Sequence, residues 1–244
     1  MWIERSPSPS RRARRRQAVG FLIEAAQQLE VSPMVKYTAL YLFACRFWPS
    51  LIRSGEANII RHWLLQPIEE SNLQLFALIS LWISSKIHNS RPLMLKSLKS
   101  LADHVIRDQH FTRRDFSEAE VTFLQVLNFE IGNANNVFMC LEELYFQFRE
   151  VAKVGEHLNF EACLDVMDLL YEEDTSILHC SPCSLAAAVL VASYLITVPK
   201  QRWEFPILSW VKFLTACEEE EIMELIKYLL KHVFGPVLVE RGTS

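Results

Sequence analysis

The chain has 244 residues, half of them hydrophobic and 22% charged, with a net charge of −4. A chain of that length buries roughly 70–75% of its unfolded surface, so a full core is available, and the composition excludes disordered, collagen-like and low-complexity classes. Six glycines and ten prolines leave long stretches free of breakers, which favours long helices.

Residues 1–16, MWIERSPSPSRRARRR, hold six arginines and one acid, a local charge of +5 that leaves −9 for the remainder. No apolar period runs through them, and a disordered basic tail is expected. No apolar h-region follows the basic start, so no secretory signal is read. The six cysteines (Cys45, Cys140, Cys163, Cys180, Cys183 and Cys217) are accordingly expected as thiols in a reducing compartment. Helical spacing begins in Ala18–Glu30, with Val19, Leu22, Ile23, Ala26 and Leu29 on one face. Ser32-Pro33 is an N-cap and N1 pair for a second helix that ends near Trp48, before Pro49. Residues 50–67 read as loop with some helix. Glu69 to about His88 is apolar almost all round, the pattern of a central helix. A fourth helix is expected at Leu93–Ile106. A fifth is expected at Thr112–Leu127, with Phe116, Val121, Leu124 and Leu127 facing inward.

The order then repeats, with helices expected at Asn136–Ala152, Phe160–Leu170, Pro182–Ile196, Phe205–Leu214 and Glu218–His232. Ser181-Pro182 repeats the capping signature, and Pro199 closes the third helix of this set. Ile83-Ser84-Ser85 aligns with Val191-Ala192-Ser193 at an offset of 108 residues, placing small side chains at the same point of both central helices. GNANN at Gly132–Asn136 breaks the period between the sets. The expected fold is all-α: two tandem five-helix bundles at residues 17–132 and 136–235, each around a central apolar helix, then a tail at 236–244. The longest apolar runs, Leu73–Ile83 and Leu185–Val198, are shorter than the ~20 residues of a membrane span.

This organisation resembles the cyclin fold. LISLWISSK (Leu78–Lys86) resembles the apolar helix of the cyclin box that ends in Ala-Ser-Lys. FTRRDFSEAEVTFLQVLNFEIG (Phe111–Gly132) resembles the segment that follows, with its aromatic-Thr start, mid-helix Glu and Val-Leu-x-Phe-acid-aliphatic ending. Arg46-Phe47 matches part of the family's Asp-Arg-Phe-Leu, and FLIEAAQQLEVSPMVKYTALYLF (residues 21–43) is most similar to the small plant J-type subgroup. The resemblance implies a non-catalytic regulatory subunit that binds a cyclin-dependent protein kinase beside its C-helix. It pushes that helix inward so that the kinase's Glu pairs with its ATP-positioning Lys. No cofactor and no metal site are implied, because ATP and its metal belong to the kinase. Carried over by motif, the kinase-binding residues are Lys86 and Glu120. Leu124 lies on the same helix face as Glu120, and Phe129 fits either core packing or a partner-contacting aromatic anchor.

The chain departs from the family pattern in places. Where the family continues from the Lys with an aromatic and two acids, this chain has Ile87-His88-Asn89, a change expected to alter kinase choice. The family's Asp before Arg-Phe is Cys45, one residue later than its spacing from Phe21 predicts. The substrate-docking motif falls near Arg14–Phe21, where only Arg15 and Phe21 match. Arg11, Arg12, Arg14, Arg15 and Arg16 fit a nuclear import signal, a nucleic-acid arm or plain solvated charge; import is the preferred reading, and the expected location is nucleus and cytoplasm. Ser8-Pro9-Ser10-Arg11 fits a proline-directed phosphorylation site and Ser6-Pro7 part of one. His179-Cys180-Ser181-Pro182-Cys183 is better explained by capping than by zinc or redox chemistry, and Glu218–Glu221 by helix-dipole pairing. Two rival readings remain. A transcription-associated adaptor of the same fold needs basic faces for nucleic acid, which the −9 body opposes. An enzyme needs a phosphate loop or nucleophile–base arrangement, and no such motif is present.

Overall fold

The computed structural model describes residues 9–56, 62–65, 69–132, 136–172, 180–200 and 205–235. These residues form helices and no strand. The chain divides into two units, Met1–Ala134 and Asn135–Ser244.

The first unit contains α1 (Pro9–Gln28), α2 (Pro33–Leu40), a π-helical segment (Tyr41–Phe47), α3 (Trp48–Glu56), α4 (Glu70–His88), α5 (Leu95–Val105) and α6 (Arg113–Val126). Helix α4 packs against α1, α2, α5 and α6. Its run from Leu75 to Leu81 is wholly buried, as is Ile83-Ser84-Ser85. The buried hydroxyls are satisfied. Ser84 Oγ donates to the Val35 carbonyl of α2 at 2.7 Å, and Ser85 Oγ donates to the Trp82 carbonyl at 2.7 Å while accepting the Leu93 N–H at 3.1 Å. The aromatic core joins three elements: Phe47 stacks on Phe123 of α6 at 4.5 Å between ring centroids and meets Phe76 of α4 at 4.8 Å.

Three expectations need correction here. The basic stretch thought to be a tail through residue 16 is helical from Pro9 onward. Arg15, Ala18, Val19, Leu22 and Ala26 are all buried at helical spacing, so the buried stripe starts one turn before the apolar period does. An arginine can join such a stripe because its aliphatic stem packs like an apolar side chain. Second, helix continues past Pro49 into α3. The π turn immediately before it widens the register, with the Trp48 N–H donating to the Phe43 carbonyl five residues back. A proline placed there meets a register break instead of a regular turn. Third, Val121 points outward, 50% exposed, and Leu124 is only half-buried. Phe116, Ala119, Phe123 and Val126 form the inward stripe of α6.

The second unit contains α7 (Val137–Val151), a 3-10 turn (Lys153–His157), α8 (Phe160–Glu172), α9 (Pro182–Thr197), α10 (Ile207–Thr215) and α11 (Glu219–Phe234). Helix α9 packs against α7, α8, α10 and α11 and is buried continuously from Ser184 to Tyr194. Ser181 caps it, Oγ accepting the Ser184 N–H at 3.0 Å. Gly155 turns the chain tightly against α7, where a Cβ would lie 2.8 Å from the Phe148 carbonyl oxygen. The tail at 236–244 lies outside the described residues.

Two consequences are testable. Phe47→Ala removes the ring that links the π-helical segment to α4 and α6, and should cost about 3–5 kcal/mol in urea unfolding. At the end of α4, His88 Nε2 lies 2.9 Å from Thr38 Oγ1 of α2, and burial lowers the His88 pKa below 6.5. The fold therefore disfavours the charged ring. Its contribution to stability is full above about pH 6.5, where both states are neutral, and declines as pH falls below that value and the unfolded chain protonates first. Comparing urea midpoints at about pH 7.5 and 5.5 should show a smaller acid loss in His88→Gln than in the parent.

Candidate partner-binding site

The capping box at the start of α6 fixes where that helix begins, and its buried stripe sets which residues face outward. The Thr112 N–H donates to Asp115 Oδ2 at 2.6 Å, and the Asp115 N–H donates to Thr112 Oγ1 at 3.3 Å. With the inward stripe of α6 set, Glu120 and Val121 fall on the outer side. Glu118 on the same helix accepts from Arg114 at 2.8 Å and from the Trp63 indole at 3.3 Å, and these bonds hold its carboxyl below the usual range.

Lys86 stands on the last turn of α4, where the helix dipole favours a cation. Its Nζ donates to Glu120 Oε1 at 2.5 Å, the two side chains being 38% and 22% exposed. The same ammonium lies 3.5 Å from the centroid of the Trp82 ring. The Trp82 Nε1–H in turn donates to the Leu93 carbonyl at 3.1 Å, which pins the ring. Lys86 is thus held by a carboxylate and by an aromatic face. Trp82 was not singled out by motif, although its position four residues before Lys86 places it on the same helix face. Exposed Ile87 and Val121 and half-buried Leu124 follow the pair closely in sequence on the two helices. The result is an oriented donor and acceptor with apolar surface beside them.

Phe129 is not a core residue: it is 64% exposed. Asn128 and Phe129 both adopt left-handed backbone, with φ of 53° and 59°. Two such non-glycine residues in succession cost energy, on the order of 1–2 kcal/mol each. They are held by the Phe129 N–H bond to the Leu124 carbonyl at 2.8 Å, and the next residue, Glu130, pairs with Arg46 at 3.3 Å. Arg46 lies in the π-helical segment. The left-handed pair thus ends α6 with a bond from the Phe129 N–H back across the last turn, and it leaves the Phe129 ring exposed.

Other sequence-derived candidates are not brought to this site. Arg11, Arg12, Arg14 and Arg16 are exposed on α1, while Arg15 is 4% exposed and lies near enough to Cys45 to act on its charge. Burial pushes the Cys45 thiol up to about 12, and Arg15 and Arg46 only partly offset this. Cys45 is thus neutral at pH 7 where the cyclin pattern has a carboxylate. Ser6 and Ser8 lie outside the described residues. Among the described residues, no group of three or more His, Cys, Asp or Glu side chains is arranged to hold a metal ion, and no helix is long and apolar enough to cross a membrane.

Comparison with known proteins bears on this geometry. The profile of the family described as "Cyclin, N-terminal domain" matches residues 56–132, the stretch that carries Lys86, Glu120 and Phe129. The chain is 59% identical over 220 residues to Cyclin-J18 of Arabidopsis thaliana, covering 90% of this chain and 94% of that protein. It is 52% identical over 239 residues to Cyclin-J18-like of Oryza sativa subsp. japonica, covering 94% and 90%. Among solved structures, a viral cyclin from herpesvirus saimiri superposes with a TM-score of 0.68 at 15% identity, over 92% of this chain and 86% of the viral one. That likeness shows the fold, and the plant relatives show the family: the chain belongs to the cyclins, in their plant J-type group.

Proposed function

We propose that this cyclin binds a cyclin-dependent protein kinase through the outer faces of α4 and α6 and activates it. As a cyclin the chain is a regulatory protein, and the finer reading rests on one observation. Lys86 and Glu120, the positions the cyclin pattern assigns to kinase contact, stand paired and pre-oriented on the surface. On docking, the Lys86 ammonium donates to backbone carbonyls of the segment leading into the kinase C-helix. Glu120 accepts backbone N–H groups of the same segment. Leu124 and the presented Phe129 ring supply apolar contact, as does Val121. Because Trp82 and Glu120 already hold Lys86, little side-chain freedom is lost on binding. The kinase supplies ATP, metal and the transferred phosphoryl group; the cyclin supplies only position. Ile87, His88 and Asn89 border the pair and select among kinases.

The reading extends to location. Arg11, Arg12, Arg14 and Arg16 form an exposed basic stretch on α1 that fits import into the nucleus, with a cytoplasmic pool. Ser6 and Ser8 are proposed phosphorylation sites next to it, where added negative charge would mask the arginines.

Co-purification with a panel of cyclin-dependent kinases, followed by an activity assay of each complex, tests the proposal. One kinase should bind and gain activity. Lys86→Ala and Glu120→Ala should each weaken that complex at least about tenfold, because each leaves the other partner's charge desolvated and unpaired. Urea unfolding of the same variants should stay within about 1 kcal/mol of the parent, since a partly exposed ion pair adds little to stability. A kinase that binds and stays inactive would make the protein an adaptor. Failure of every kinase to bind the intact fold would turn attention to transcription complexes.

A further inference from the structure

Four of the six cysteines gather where α7, α9 and α11 begin. Cys140 is on the first turns of α7, Cys183 is the second residue of α9, Cys180 lies just before that helix, and Cys217 lies just before α11. Contacts across the helix starts tie the group together. Ser184 Oγ donates to Glu221 Oε2 at 2.9 Å, and Ser181 Oγ lies 3.9 Å from Cys217 Sγ. The sulfurs of Cys140 and Cys183 are 3.2 Å apart. About 1.2 Å of approach would bring them to the ~2.05 Å of a disulfide. Both residues are part-exposed, so a small oxidant can reach them.

The pair that meets is not the pair suggested by spacing. Cys180 and Cys183 form a Cys-x-x-Cys, yet Cys180 interacts with Glu221 and Cys183 turns toward Cys140. Zinc does not account for the cluster. It asks for about four converging ligands, and among the described residues no group of even three is suitably arranged.

We propose that Cys140 and Cys183 are a reversible oxidation site, closing to a disulfide when the protein meets a hydroperoxide. Cys183 attacks first, since it sits at the N-terminal end of α9, where the helix favours developing negative charge. Its sulfur bonds to one peroxide oxygen, the O–O bond breaks, and the departing hydroxide leaves as water with the Cys183 proton. This forms a sulfenic acid on Cys183. Cys140 then attacks that sulfur; the S–S bond forms, the S–O bond breaks, and the second hydroxide leaves as water with the Cys140 proton. Two thiols are oxidised by two electrons, and one hydrogen peroxide is reduced to two waters. Burial and the neighbouring Cys183 push the Cys140 thiol up to about 12, which disfavours it as the initial nucleophile. The closed bond links α7 to the central helix across 43 residues of chain. The site lies wholly within the second unit and does not depend on the kinase reading.

Treating the full-length protein with hydrogen peroxide, alkylating, and mapping non-reduced peptides tests the proposal. Two of the six thiols should disappear with a mass loss of about 2 Da, the Cys140 and Cys183 peptides should be joined, and dithiothreitol should restore both thiols. Cys180→Ser should leave that link unchanged, and Cys140→Ser should accumulate sulfenic acid on Cys183. A Cys180–Cys183 link would overturn the proposal. So would sulfinic acid on Cys183 with Cys140 still free, or six intact thiols after treatment. The map of the parent protein decides the matter even if a cysteine variant fails to fold.

Discussion

A helix enclosed by four others must be narrow where its neighbours cross it, and each polar atom it buries there must find a partner. Helix α4 meets both demands with serines. Ser80, Ser84 and Ser85 are fully buried, and each hydroxyl returns its hydrogen bond to a nearby carbonyl, Ser84 reaching across to Val35 of α2. Helix α9 meets the demand mainly with Ala186, Ala187, Ala188 and Ala192. Ser85 has a further role in α4. Ser85 also accepts the Leu93 N–H, and Leu93 accepts the Trp82 indole. The ring under Lys86 is therefore anchored by the same hydroxyl that lets the helix pack. The precision of the surface site originates in the packing of the core.

The second constraint is an extra residue. Cys45-Arg46-Phe47 comes one position later than the cyclin pattern predicts from Phe21, and the chain absorbs the excess as a π turn over Tyr41–Phe47. The turn keeps Phe47 in the aromatic stack with Phe76 and Phe123. It also brings Arg46 to Glu130, beside the left-handed pair Asn128-Phe129. At 75% exposure Glu130 gives this ion pair little strength, so the left-handed backbone must be held chiefly by its own hydrogen bonds and by burial of Leu127 just before it.

The helices were legible because their signals are local. Thr112, Ser181 and Asn136 announce helix starts through their side chains, and each caps the helix it precedes. What stayed hidden depends on three-dimensional context. Arg15 reads as one more charge in a basic tail, and only the position of Cys45 and the buried stripe of α1 reveals it as an interior residue. Val121 reads as core because it is apolar, yet Phe123 and Val126 occupy the inward positions. Period alone cannot choose between two apolar stripes offset by a fraction of a turn. Lys86 and Glu120 were legible by resemblance, whereas their mutual pairing was not, since 34 residues separate them. The Cys140–Cys183 approach was hidden for the same reason, across 43 residues.

The offset of 108 residues relating the two central helices also shows how the units have diverged. Applied to Lys86 and Glu120, it leads to Tyr194 on α9 and Tyr228 on α11. Tyr194 is buried and packs edge-on against Phe148. Tyr228 is part-buried and lies against the His232 ring, 4.0 Å between centroids. The second unit has the helical frame that carries the ion pair in the first, but fills those two positions with aromatic packing. A tyrosine at the end of α9 can complete a core; a lysine there would have to reach water or a carboxylate. The charged pair is therefore not a requirement of the five-helix frame. Its presence in the first unit, held between Trp82 and the outer face of α6, is a feature that the frame permits and that the proposed kinase contact would explain.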